Sequence, residues 1–407
     1  MMRADFFKKN RDRLLAQAEA DLVVIAANTR LQRNGDTTLP FRQDSNFWYM
    51  SGIDEPDYIL VLSQAKTYLI APLFSKIQKV FDSVPDNTKL AHDSGINEIL
   101  ETRAGWQQLR DQVAKYKRVA VLPPANTRRH GFWANPARHR LLRAIKRLQS
   151  DVEYIDIGAT MASLRAVKTA DEISLIQQAI NLTTDSFLQI LTADNLSTLR
   201  YEYQVEAAFT HAFISNGATH AYQPIVAAGQ HACTLHYSRN RARIIHGQCL
   251  LVDIGAEVSN YAADITRTVF VGGATARQQT VAKGVAAIQA AAYDLLRPGI
   301  SIKDYEQQLL PVVADVLAGL GLINASKPSQ QRHMVRQFMP HATSHFLGLD
   351  VHDAGSYEQP LAEGMVLTVE PGIYIPAENM GVRIEDNVLI TKNGYTLLSK
   401  NLPPLLT

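Results

Sequence analysis

The chain has 407 residues, 46% hydrophobic and 20% charged, with 41 Lys and Arg against 39 Asp and Glu. That length suits two or three domains of roughly 100–200 residues and a core that needs no disulfide framework, and the composition is wrong for a disordered chain. The formal net charge of +2 gives no electrostatic case for a nucleic-acid or anionic-membrane partner, and no run reaches the ~20 apolar residues of a membrane span.

The N-terminus, MMRADFFKKNRDRL, lacks an apolar signal core. Apolar runs at 21–27, 57–63, 67–72, 118–123 and 151–157 read as strands, and the stretches 92–116 and 137–149 between them read as helices. This alternation predicts an α/β domain over residues 1–158. PPANTRRHGFWANPAR (123–138) has loop chemistry. Two cysteines, Cys233 and Cys249, sit beside apolar residues and fit a reducing, cytoplasmic setting.

The rhythm changes at residue 159. Thr169 and Glu172 make a capping box before a helix whose apolar face carries Ile173, Ile176, Ile180, Phe187 and Leu191. A second helix is expected from about Leu199 to Asn216, stopping at Gly217. Strand-like runs follow at 224–229, 249–255 and 264–273. The order then repeats: Thr275 and Gln278 cap a helix reaching Arg297, and another spans Lys303 to Leu317, where Pro311 should kink or interrupt it. Further strands follow at 365–375 and 381–391. GQCLLVDIG (247–255) and GMVLTVEPG (364–372) share Gly, Leu, Val, an acid and Gly at equal offsets. Residues 159–407 therefore read as a duplicated helix–helix–strand unit, and the whole chain as α+β.

Asp253 interrupts an apolar strand, where an unpaired carboxylate costs several kcal/mol. A reversal centred between Val258 and Ser259 would set Asp264 directly opposite it, with β-carbons about 4.5–5.5 Å apart. Like charges so placed repel unless a cation lies between them. Glu370 and Glu385 repeat the pattern about a midpoint between Ala377 and Glu378, with Pro371-Gly372 a potential bulge. Two divalent cations balance four carboxylates, so the acids point to a dinuclear site. Oxygen-rich ligation favours Mn2+, with Zn2+, Co2+ and Fe2+ as alternatives. A nitrogen ligand is available among His341, His345 and His352, clustered in MPHATSHFLGLDVHDAG (339–355), with His236 a further candidate. His341 and His345 have i, i+4 spacing without the glutamate of HExxH. Neither a P-loop, a G-x-G-x-x-G fingerprint nor a G-x-S-x-G elbow is present.

DIGAEVSNYAADITRT, SHFLGLDVHD, VEPGIYI and RIED, in this order and spacing, resemble the pita-bread metallopeptidases, specifically their aminopeptidase P/prolidase branch, and RQDSNFWYMSG (42–52) resembles that branch's N-terminal domain. The resemblance covers nearly the whole chain. It implies an α/β N-terminal domain over 1–158, which would limit substrate length, and a pita-bread catalytic domain over 159–407. It implies Asp253, Asp264, His345, Glu370 and Glu385 as metal ligands, with Asp264 and Glu385 bridging. His236, His352 and Glu370 become the catalytic candidates, and His341, Tyr222 and Arg383 the substrate-binding ones. The activity implied is hydrolysis of the Xaa–Pro bond at peptide N-termini by a metal-bridged hydroxide, on a peptide with proline at its second position. The RQDSNFWYMSG stretch either reaches the cleft or packs its own domain. Relatives of this kind form dimers or tetramers. An Xaa–Pro dipeptidase, a metal-free creatinase-type hydrolase and a non-catalytic peptide-binding module are the rival readings; the last two branches lose the ligands that are present here.

Overall fold

The computed structural model describes residues 2–124, 133–149, 151–324 and 331–406. Residues 125–132, half of the expected loop at 123–138, lie outside them. The chain divides into two compact units, Met1–Leu164 and Arg165–Thr407.

The N-terminal unit is built on a six-stranded sheet. Its strand Leu22–Ala26 is buried at every position, as a continuous LVVIA run demands of a strand covered on both faces. It pairs antiparallel with Ile59–Leu62 and parallel with Arg118–Val121. Helices Thr102–Lys115 and Ala137–Leu148 bury Leu109 and Val113, and Leu141 and Ile145, at i, i+4 spacing against this sheet. An N-terminal helix, Ala4–Gln17, sets Phe6 and Phe7 edge-on against Tyr49 and Trp48. The RQDSNFWYMSG segment forms a short helix, Ser45–Ser51, capped by Asp44, and Phe47, Trp48 and Tyr49 are all buried within this unit. They pack their own domain.

The second unit carries the expected repeat. Helix Ala170–Ile190 opens on the Thr169/Glu172 capping box and helix Ala276–Leu295 on a Thr275/Gln278 box. Each is followed by a second long helix, Glu202–Ser215 and Ile302–Gly319. The latter runs through Pro311 without a break. Burial of Leu309, Val313, Ala314 and Leu317 around the proline outweighs the ~3 kcal/mol penalty of a helical proline. Among the described residues its strands form three three-stranded sheets and a two-stranded one: Ile225–Ala228, Cys249–Asp253 and Thr266–Phe270; Thr219–His220, Ala256–Val258 and Tyr261–Ala262; Val366–Val369, Asp386–Thr391 and Gly394–Leu397; and Gly372–Ile375 with Met380–Arg383. Gly247 and Gly364, at equal offsets before Cys249–Asp253 and Val366–Val369, adopt φ of 86° and 88°, a left-handed turn in each half. No helix among the described residues is long and apolar enough to cross a membrane.

Candidate metal centre

The two hairpins that carry the acids are built in different registers. In the first, Asp253 pairs with Thr266, and the extension Ala256–Val258 pairs with Tyr261–Ala262. The reversal is therefore centred between Ser259 and Asn260, whose φ angles of 49° and 69° are those of a tight left-handed hairpin turn. The sequence reading placed the centre one residue earlier. The correction moves Asp264 opposite Gly255, diagonal to Asp253. Gly255 is obligatory here, since a β-carbon would lie 1.7 Å from the Ala263 carbonyl oxygen.

The second half keeps the expected register. Val369 pairs with Asp386, and Gly372 pairs with Arg383. Glu370 and Glu385 fall opposite each other between these ladders, and Pro371-Gly372 introduces no slip. An isolated bridge between Thr266 and Glu385 joins the halves, and the Thr266 hydroxyl donates to Glu385 Oε2 at 2.7 Å. The duplication is thus asymmetric in its chemistry. Asp253 and Glu370 are equivalent positions, but the equivalent of Glu385 is Thr266.

The segment 341–345 is laced to the strand that ends at Glu370. Thr368 N donates to His345 O at 3.0 Å and Glu370 N to Thr343 O at 2.9 Å. The Glu306 carboxylate accepts from both Thr343 N and Oγ1 at 2.6 Å. His345 Nδ1 lies 3.0 Å from the Phe346 carbonyl, which can only accept, so Nδ1 carries the proton and Nε2 faces the acids. Nε2 is 3.3 Å from Asp264 and 3.2 Å from Glu370. Asp264, His345 and Glu385, all buried, offer ligand atoms that lie within 4.8 Å of one another.

These residues line a cavity of about 550 Å³ that also receives Asp253, Glu370, His236, His341, His352, Tyr222 and Arg383. Every site residue expected from the sequence is brought to it. Tyr222 donates to Asp253 Oδ1 at 2.5 Å, and Arg383 bonds Asp253 Oδ2. Arg383 also donates to Tyr374 Oη at 2.8 Å, which lies 2.7 Å from His341 Nε2. His352 is exposed at the mouth, its ring 4.4 Å from that of His345. His236 is exposed on the same cavity.

Burial and mutual repulsion dominate the electrostatics. Burial, with Asp253 and Glu370 nearby, raises Asp264 to about 6 although the His345 hydrogen bond opposes it. Burial and the charges of Asp264, Glu370 and Asp253 drive Glu385 well above the carboxylate range. Burial would raise Glu370 too, but His345, His341 and Arg383 bring it down to about 2. Burial opposes a charge on His345, yet Asp264 and Glu370 hold it well above the ordinary histidine value. His352 is lowered by partial desolvation and by His345. Glu385 Oε1 is buried without a hydrogen-bond partner. A buried carboxylate oxygen left unpaired among other acids fits a cation and little else. The donor set, four carboxylates and one imidazole nitrogen, is that of a hard or borderline divalent metal.

Tyr374, Thr266 and Glu306 escaped the sequence reading. Tyr374 hides in the apolar strand GIYI; a tyrosine there, two residues from the Pro-Gly step after Glu370, was the available signal.

A duplicated helix–sheet unit holding four acids and a histidine in one cavity has the form of a metal-dependent hydrolase. The chain belongs to metallopeptidase family M24, whose sequence profile matches residues 174–392, and the aminopeptidase P N-terminal domain matches residues 7–121. It is 32% identical to the Xaa-Pro aminopeptidase of Haemophilus influenzae across 98% of this chain and 94% of that protein. Its fold is similar to Pseudomonas aeruginosa aminopeptidase PepP (TM-score 0.88, 28% identity, covering 99% of this chain and 96% of that one). It is also similar to a zinc-substituted Escherichia coli aminopeptidase P in complex with product (TM-score 0.86, 27% identity, 99% and 97% covered).

Proposed function

We propose that the chain is an Xaa–Pro aminopeptidase that uses two divalent metal ions, with Mn2+ favoured, to hydrolyse the bond between an N-terminal residue and proline. The observation that carries the reading is the convergence of Asp253, Asp264, Glu370, Glu385 and His345, with Glu385 Oε1 left unpaired. Asp253, Asp264 and Glu385 would hold one ion, and Asp264, Glu385, His345 and Glu370 the other. Asp253 can still coordinate while accepting from Tyr222 and Arg383, because each carboxylate oxygen has two lone pairs. The bound ions supply Lewis acidity and acidify a water to near neutral pH.

The chain's own residues do the remaining work. Glu370, which faces the positive charge of Arg383, receives the proton of the attacking water. His352 donates a hydrogen bond where charge develops on the carbonyl oxygen. His236 steers the leaving proline nitrogen. The Xaa–Pro imide has no N–H, so the proline ring must be recognised by shape, and His341 and Tyr222 form the candidate walls. Arg383 and Tyr374 fix those walls by their bonds to Asp253 and His341. We further propose a cytoplasmic setting, with both cysteines reduced, and a homo-oligomer, dimer or tetramer, to be checked by light scattering.

Comparing Xaa–Pro–Yaa with Xaa–Pro substrates tests the reading. The expected result is metal-dependent cleavage of both lengths with preference for the longer. A strong preference for the dipeptide would replace the aminopeptidase assignment with a dipeptidase one.

A further inference from the structure

Helix Glu202–Ser215 opens with a carboxylate that solvent does not reach: Glu202 is 0% exposed. It has no Lys or Arg partner among the described salt bridges. Its charge is met instead by hydrogen bonds from Ala228 N at 2.8 Å, Ala242 N at 2.8 Å and Tyr237 Oη at 2.9 Å, with His231 Nδ1 at 3.3 Å. Its own N–H donates to Ala242 O at 3.0 Å. A carboxylate in the first helical turn is also favoured by the helix dipole.

These partners have a common geography. Ala228 and Ala242 are the two ends of an excursion, 229–241, whose only regular element is the 3-10 turn Gly229–Cys233. Tyr237 lies in the middle of it, stacked on His231 with centroids 4.4 Å apart. A second tie reinforces the first. Asn240, buried and at φ 47°, accepts from Val226 N at 3.0 Å and donates to Pro224 O and to Glu206 Oε2, both at 2.9 Å. Glu202 and Glu206 lie one helical turn apart on a single face.

His236 is the residue beside Tyr237, and it lines the cavity of the acid cluster. His352 lines the same cavity. Among the described residues no side chain hydrogen-bonds the His236 ring, so its place is set by the backbone around it. We infer that Glu202 is the positioning residue for His236: it ties both ends of the 229–241 excursion, and the residue next to His236, to the start of one helix. The inference rests on the proposed function for its kinetic readout alone.

The test is Glu202→Gln in the full-length, Mn2+-loaded chain. Glutamine keeps the shape but has one acceptor oxygen where the carboxylate has two, so a backbone N–H is left facing an amide N–H. The expected result is a fall in kcat on an Xaa–Pro–Yaa peptide of roughly tenfold or more with KM within about twofold. Amide hydrogen exchange across 228–242 accelerates, and the Mn2+ binding isotherm is unchanged. In a His236→Ala background, Glu202→Gln lowers kcat by less than about twofold, because the ring it acts through is gone. An equal fall in both backgrounds, or unaltered exchange across 228–242, overturns the inference. If Glu202→Gln does not fold, Tyr237→Phe removes one tie and leaves the carboxylate. It gives a smaller fall in kcat that is likewise absent with His236→Ala. A wild-type chain without Xaa–Pro hydrolysis would defeat the functional reading on its own, and the exchange measurement would still decide the anchor.

Discussion

Replacing Asp353 by asparagine is expected to unseat the loop that carries His352. Asp353 follows His352 directly and is buried between two cations, with Lys168 Nζ at 2.9 Å and Arg165 bonded to its other oxygen. The side chains of Lys168, Arg165 and Asp353 are only 1%, 4% and 1% exposed. Burial alone would raise Asp353, but Arg165 and Lys168 more than offset it and hold its carboxyl below the ordinary range. Asparagine keeps the volume but removes the negative charge, and leaves one amide oxygen for Lys168 and Arg165 where the carboxylate gave each its own. Removing one partner of a buried pair costs about 3–5 kcal/mol, which for a unit of this size is a Tm loss of roughly 6–20 °C. Asp350→Asn is the control: that carboxylate also bonds Arg165, but it is 46% exposed, so its loss should cost at most ~1 kcal/mol. The Asp353 contribution is complete above its unfolded pKa of about 3.9 and fades as pH falls below it, so the variant flattens the acid limb of the stability curve. Denaturant unfolding of both variants at pH 7 decides the matter. If Asp353→Asn costs no more than Asp350→Asn, the buried triad is not what holds the loop.

Glu385→Gln should separate stability from function. In EDTA-treated protein it replaces a carboxyl whose charged form burial and its acidic neighbours disfavour with a neutral amide of the same shape, so its Tm should equal or exceed that of the wild type. Mn2+ should raise the wild-type Tm and barely move the variant; scanning calorimetry with and without Mn2+ checks both. His220, whose Nε2 lies 2.7 Å from Thr210 Oγ1, is lowered by burial to about 4. A histidine depressed in the folded state stabilises it above the unfolded value near 6.5, and that contribution is lost as pH falls toward 4. After allowance for its partial exposure this is about 1–2 kcal/mol. Urea titrations at pH 7 and pH 4.5 should therefore show a smaller acid loss in His220→Gln than in the wild type.

The duplicated architecture and the acid cluster were legible for one physical reason. Carboxylates in apolar strands are expensive, so Asp253 and Glu370 announce a compensating partner before any geometry is known. The register was less legible. A two-residue turn at Ser259-Asn260 depends on two residues adopting positive φ, which no hydropathy pattern records, and a one-residue error moved Asp264 from a diagonal to a direct neighbour of Asp253. The second hairpin was read correctly because the Pro-Gly step after Glu370 adds no residue to either strand. The continuity of the helix through Pro311 was not legible because the packing that holds it is tertiary. Glu202, Glu306 and Lys168 were invisible because each looks like an ordinary charged residue of a helix or its flank until long-range contacts bury it.

The proposed function requires the four acids and His345 to hold two divalent ions. The most direct measurement is a titration of Mn2+ into EDTA-treated protein, followed in parallel by calorimetry and by hydrolysis of an Xaa–Pro–Yaa peptide. The expected result is two ions per chain, no cleavage without metal, and activity that rises with occupancy. Full activity in metal-free protein, or saturation of both binding and activity at a single ion, would contradict it.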